Sequence, residues 1–239
     1  MMRLRGWLLV MGFALAIAVV PARGSDVGAH AVPGYLYRER TGEETREFSW
    51  TLERQGENIL VTSREKEMSY FNLCRPDGET IRWRMQGPDT ALEAEREGEV
   101  IVLRGRRRQE EISKQLTIRE DSWRQPLSFS LRELVDSGRA ELRFRFIRPD
   151  TLELLKMKAV RREQGLIPVP GGELRAEQVE VRMDGLLSGL WSCNYWFRSG
   201  DGLFLRYEGV HGLPGTPRTV IELIDRGAAD PVPEKVPGK

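Results

Sequence analysis

Side chains able to do acid–base or nucleophilic chemistry are few in this chain. The two histidines are His30, in a Gly- and Pro-containing lead, and His211, in the loop Gly209-Val210-His211-Gly212-Leu213-Pro214-Gly215. An imidazole acts as a base only with a partner in hydrogen-bond reach, and nothing pairs with either His by spacing, so both read as loop residues. Ser188 in Gly185-Leu186-Leu187-Ser188-Gly189 has Leu186 where a nucleophile elbow needs its first Gly. The Gly-rich stretch before Thr216 lacks the Gly-Lys-Ser/Thr ending of a phosphate loop. Two Cys and two His without close spacing do not make a zinc set. Glu43-Glu44 and Glu110-Glu111 read as solvated turns, and a carboxylate pair assembled only by folding stays open. Arg104-Gly105-Arg106-Arg107-Arg108 is the densest basic run. It can hold a phosphate or an anionic glycolipid headgroup, or it is a solvated hairpin end beside Glu110 and Glu111. No catalytic residue, metal or cofactor is assigned.

Cys74 and Cys193 are the two thiols. In an oxidising compartment a bond between them would close a long loop, worth about 3–5 kcal/mol. The alternative is two buried free thiols, and a sequence gives no Cα distance to decide.

The aromatic residues are the most suggestive set. Trp50, Trp83, Phe144 and Phe146 each fall on the apolar side of an alternating run, and Trp191, Tyr195 and Phe197 share one side of a later run with Trp196 on the other. They read either as core packing or as the wall of an apolar cavity that accepts an acyl chain or another hydrophobic ligand.

What positions them is a series of short runs with period two. Phe48, Trp50 and Leu52 alternate with Glu47, Ser49 and Glu53; Ile81, Trp83 and Met85 with Arg82, Arg84 and Gln86; Leu142, Phe144 and Phe146 with Glu141, Arg143 and Arg145. Turn signals such as Pro76-Asp77-Gly78 and Ser199-Gly200-Asp201-Gly202 recur about every ten residues. Pro168-Val169-Pro170-Gly171-Gly172 reads as a loop. This is the rhythm of antiparallel strands joined by tight turns. Between Leu127 and Ser137 the period changes: Leu127, Leu131, Leu134 and Val135 make one helical face, Ser130 and Glu133 have capping-box spacing, and Gly138 can end the helix. The expected fold is mainly β, a large curved antiparallel meander of roughly 11–14 strands forming a half-barrel or open barrel, with one short amphipathic helix near 127–137.

The start has the three parts of a secretory signal: Arg3 and Arg5, an uncharged apolar run from Gly6 to Val20, and small residues to Gly24. The run is short for a bilayer span, and no Cys near the cut suggests a lipid anchor. The expected plan is a signal peptide over 1–24, a flexible lead over 25–34, one β domain over 35–227 and a disordered tail over 228–239. Loss of Arg3, Arg5 and Arg23 leaves 34 basic against 36 acidic residues, a net charge of −2. That balance argues against nucleic acid as a partner, and no transmembrane segment remains after cleavage.

The stretches Trp123-Arg124-Gln125-Pro126-Leu127-Ser128-Phe129-Ser130-Leu131 and Phe146-Ile147-Arg148-Pro149-Asp150-Thr151-Leu152 resemble those of a group of exported Gram-negative proteins of unknown function. So do Tyr195-Trp196-Phe197-Arg198 and Arg206-Tyr207-Glu208-Gly209. The resemblance carries no activity. It implies a periplasmic location and a curved antiparallel sheet, with a looser likeness to the half-barrel of outer-membrane lipoprotein carriers. The functional expectation is a periplasmic protein that binds or carries a hydrophobic or lipid-like envelope ligand. The alternative is a non-catalytic interaction or assembly module for an envelope protein.

Overall fold

The computed structural model describes residues 34–185, 189, 191–210 and 216–225. The signal, most of the lead, His30, Ser188, His211 and the tail lie outside the described residues. Among the described residues, alternating apolar and polar positions form fourteen strands. The first eight are β1 (Gly34–Thr41), β2 (Glu44–Gln55), β3 (Asn58–Arg64), β4 (Ser69–Cys74), β5 (Thr80–Gly87), β6 (Thr90–Glu97), β7 (Val100–Arg107) and β8 (Glu110–Thr117). Two short helices follow, α1 (Leu127–Ser130) and α2 (Arg132–Asp136). Then come β9 (Glu141–Ile147), β10 (Leu154–Val169), β11 (Gly172–Met183), β12 (Ser192–Arg198), β13 (Phe204–Val210) and β14 (Arg218–Asp225).

All fourteen strands join one antiparallel sheet, in the order β8-β7-β6-β5-β4-β3-β2-β1-β14-β13-β12-β11-β10-β9. Every strand pairs with its neighbours in sequence except between β8 and β9. Those two are the edges, and the sheet is open between them. The first and last strands are instead paired in its middle, with Tyr37 opposite Leu223 and Glu39 opposite Ile221.

The register sorts side chains by face. One row on the inner face runs Leu52, Val61, Asn72, Trp83, Ala94, Leu103 across β2 to β7. The outer face carries Arg–Glu pairs, as expected from the Arg-rich alternation: Arg38 with Glu47, Arg82 with Glu95, Arg206 with Glu222. Such exposed pairs contribute little each, so stability rests on the inner face. There Trp50, Trp83, Phe144, Phe197 and Tyr207 are buried in two apolar clusters. Full burial of a side chain of this size contributes on the order of 1.5–3 kcal/mol.

The predicted helix is present, but it breaks at Leu131, which caps both α1 and α2. The capping box is not formed. Ser130 Oγ donates to the Gly78 carbonyl at 2.7 Å, and the Glu133 carboxylate pairs with Arg124 and Arg139. Tertiary partners outbid the local cap. Gly138, at φ +68°, follows the end of α2 as expected. The predicted loop at Pro168–Gly172 is also smaller than read. β10 extends to Val169, β11 starts at Gly172, and only Pro170 and Gly171 turn the chain. Beyond Val160, where pairing with β9 ends, β10 pairs with β11 alone. Pro168 is tolerated in such an arm because its missing N–H faces no second strand.

Candidate functional site

Two regions concentrate interactions that a plain sheet does not need. The first is the segment that crosses the open seam. After β8 the chain turns back, and Trp123 makes a parallel bridge to Arg145 of β9. Arg145 N–H donates to the Ser122 carbonyl at 2.7 Å and Arg124 N–H to the Arg145 carbonyl at 2.9 Å. Gln125, buried, extends that pairing with its side chain: Nε2 donates to the Ile147 carbonyl at 2.7 Å, and Oε1 accepts from Ile147 N–H at 3.1 Å. The same amide oxygen accepts from Trp123 Nε1 at 3.1 Å, and Gln125 N–H donates to Thr80 Oγ1 at 2.9 Å. The segment therefore holds β9 on one side and the start of β5 on the other.

Arg124 fastens this clasp. Its guanidinium is buried, and Nη1 donates to the carbonyls of Asp77 at 2.6 Å and Ser130 at 2.9 Å. Nη2 pairs with Glu133 on α2. The turn at Asp77-Gly78 is thus drawn against the helices. Gly78, at φ +83°, is required there: a Cβ would stand 2.7 Å from Ser130 Cα and 2.8 Å from its carbonyl oxygen. Across the seam, Arg107 of β7 donates to the carbonyls of Pro149 and Asp150. The motif Trp123–Leu131 is a structural clasp and plug, and nothing in its spacing alone discloses that.

The second region is the inner face. The seven sequence-selected aromatics do not form one constellation. Trp50, Phe144 and Phe197 are buried in the larger cluster, with Phe146, Trp191 and Tyr195 half-buried against it; Trp83 lies in the other cluster with Met85, Leu92, Ile101, Leu103 and Trp123. Tyr195 stacks on Phe197 with centroids 6.3 Å apart and meets Tyr207 edge-on at 5.0 Å. Trp196 points to the opposite face, as its parity requires, beneath the Arg206 guanidinium at 5.9 Å. Trp191 precedes β12 and donates its Nε1 to the Val210 carbonyl at 2.7 Å.

Cys74 and Cys193 are free buried thiols, and the disulfide left open by the sequence is not made. They lie on β4 and β12, separated in the sheet by five intervening strands. Burial pushes the Cys74 thiol up to about 12 and raises Cys193 too, so both stay protonated at neutral pH. Burial also raises the Tyr195 and Tyr207 hydroxyls, both beside Cys193.

One end of the inner face is polar. Glu39, buried on β1, accepts from Arg46 Nη2 at 2.8 Å, and Arg46 Nη1 reaches Glu65 at 2.8 Å. Burial raises the Glu65 carboxyl above its ordinary value against the pull of Arg46, and burial then Glu65 raise the Tyr70 hydroxyl. A cleft of about 280 Å3 lies elsewhere, between the Pro76–Gly78 turn and the helices, with Asp77, Phe129, Arg132 and Glu133 among its walls. None of the seven aromatics lines it. Among the described residues no group of His, Cys, Asp and Glu is arranged to hold a metal, and no helix is long and apolar enough to cross a membrane.

The sheet is similar to the crystal structure of a β-barrel-like protein of a domain of unknown function, DUF1849, from Brucella abortus. The TM-score is 0.57 at 12% identity, over 81% of this chain and 96% of that one. At that identity the likeness is one of fold. No family model matches the sequence, and no curated protein matches it.

Proposed function

We propose that this chain is a non-catalytic binding protein of the bacterial cell envelope that holds a hydrophobic or amphipathic ligand against the inner face of its sheet. The observation that carries this reading is Tyr195. Its ring packs on Phe197 and Tyr207, both buried, yet stays only half-buried itself, so this part of the inner face keeps apolar surface that the chain does not cover. Inner-face Tyr35, Phe48, Leu52, Phe146 and Leu155 also stop short of full burial. An apolar wall with a few polar groups is the usual composition of a ligand pocket. Envelope location is supported by the signal pattern in the first 24 residues and by the motif resemblance.

The test is native mass spectrometry of the protein isolated from the envelope of its own host. The expected result is a polypeptide mass beginning at Ser25 with an adduct that organic extraction removes. A protein that carries no adduct, and that takes up no fluorescent apolar probe, sinks the reading. The second reading, a module for an envelope protein partner, is favoured by Leu166 at 62% exposure on the β10–β11 arm. In that case Leu166→Glu releases a co-purifying protein and leaves ligand occupancy unchanged.

A further inference from the structure

We infer that Asn72 is the polar anchor of the inner face, and that the ligand has an uncharged hydrogen-bonding group, a hydroxyl or an amide, joined to its apolar body. The inference rests on the binding reading above. In the six-residue row from β2 to β7, Asn72 stands among Leu52, Val61, Trp83, Ala94 and Leu103. It is 5% exposed, and its Oδ1 is closed to solvent with no hydrogen-bond partner. Its cross-strand neighbours are Val61 and Trp83, and on the same face of β4 it has Tyr70 and Cys74. A buried polar side chain normally finds a partner, because leaving it without one is costly. An apolar residue of the same volume removes that cost at once. The unpartnered amide works against the stability of the fold, as groups in binding sites do.

The neighbours decide what the amide is suited to. None is itself charged. The cations that reach them, Arg124 at Cys74 and Arg46 and Arg107 at Tyr70, are already bonded to carbonyls or carboxylates. An ionised headgroup therefore gains no free counter-ion there and loses its hydration. An amide offers one acceptor oxygen and a two-donor nitrogen. A hydroxyl or amide on the ligand can satisfy either. Arg46, Glu39 and Glu65 are the charged groups of this face nearest its polar end, and they satisfy one another.

The experiment uses the full mature chain with Asn72→Leu and Asn72→Val. Displacement of a bound fluorescent apolar probe is measured with hexadecanol, palmitamide and palmitate. The expected wild-type order places hexadecanol and palmitamide ahead of palmitate. In both variants the advantage falls about three- to tenfold, while the thermal midpoint rises by about 2–4 °C. Unchanged preference in the variants overturns the anchor and leaves the binding reading standing. A lower midpoint in both variants overturns it too, since the amide would then stabilise the fold. A wild-type chain that takes up neither probe nor competitor overturns both proposals.

Discussion

Thiols give the first residue-scale test. Burial pushes the Cys74 thiol up to about 12 in the fold, against about 8.5 for a free thiol, and raises Cys193 in the same direction. The unfolded chain then binds fewer protons than the folded one above the free-thiol range, and stability falls as pH rises from about 8.5 towards 12. Replacing both thiols with Ala flattens that part of the stability–pH curve. Native protein at pH 8 resists iodoacetamide, and both residues react once it is unfolded; rapid alkylation of the native chain contradicts their burial. Glu65 slopes the same way at lower pH. Its carboxyl is raised, so the folded state holds the proton more tightly, and stability declines as pH climbs above the ordinary carboxylate range. Glu65→Gln removes this decline, read as a smaller loss of urea midpoint between pH 4.5 and 7. The parity of Trp50, Trp83, Phe144 and Tyr195 was legible in the sequence because period two is local. The role of Asn72 is not legible there, for the opposite reason. It sits in an unremarkable strand, and only the register across five other strands reveals the apolar row around it.

Among elements, the clasp is the most consequential. Arg124→Ala leaves Glu133 without one of its two guanidinium partners and strips the Asp77 and Ser130 carbonyls of their donor. The expected loss is about 3–5 kcal/mol, measured by urea unfolding. Gly78→Ala forces a Cβ against Ser130 and strains a positive φ, so it should lift α1 and α2 off the turn. Faster amide exchange over residues 127–136 reads that directly, and unchanged protection there refutes the clasp. Strands and turns were readable because alternation and Gly or Pro signals are short-range. The helix break at Leu131 was not, since Ser130 and Glu133 are recruited by Gly78 and Arg124 from outside the segment. Nor was the extended β10–β11 arm, because Pro168 is a loop signal only where a neighbouring strand needs its N–H.

For the whole molecule, the strand order fixes the folding problem. β1 to β8 and β9 to β14 are two local meanders in which each strand pairs with its neighbour in sequence. Their joint is the β1–β14 pair, whose Arg40 and Glu222 are 182 residues apart and bonded at 2.5 Å. Contacts so remote close late, because the chain must lose loop entropy first. β1, the earliest of the described strands to be made, is therefore the last of them to be paired on both sides. Because the seam falls between β8 and β9, the backbone can be severed there without cutting any hairpin. Cleavage between Arg119 and Glu120 leaves the Trp123 clasp attached to β9. Two pieces, 25–119 and 120–239, are then expected to reassemble across β1 and β14 when made together, scored by co-purification through a tag on one of them. The gap in the sheet that looks like a missing bond is in this sense a natural point of division, where one gene can be read as two complementary halves.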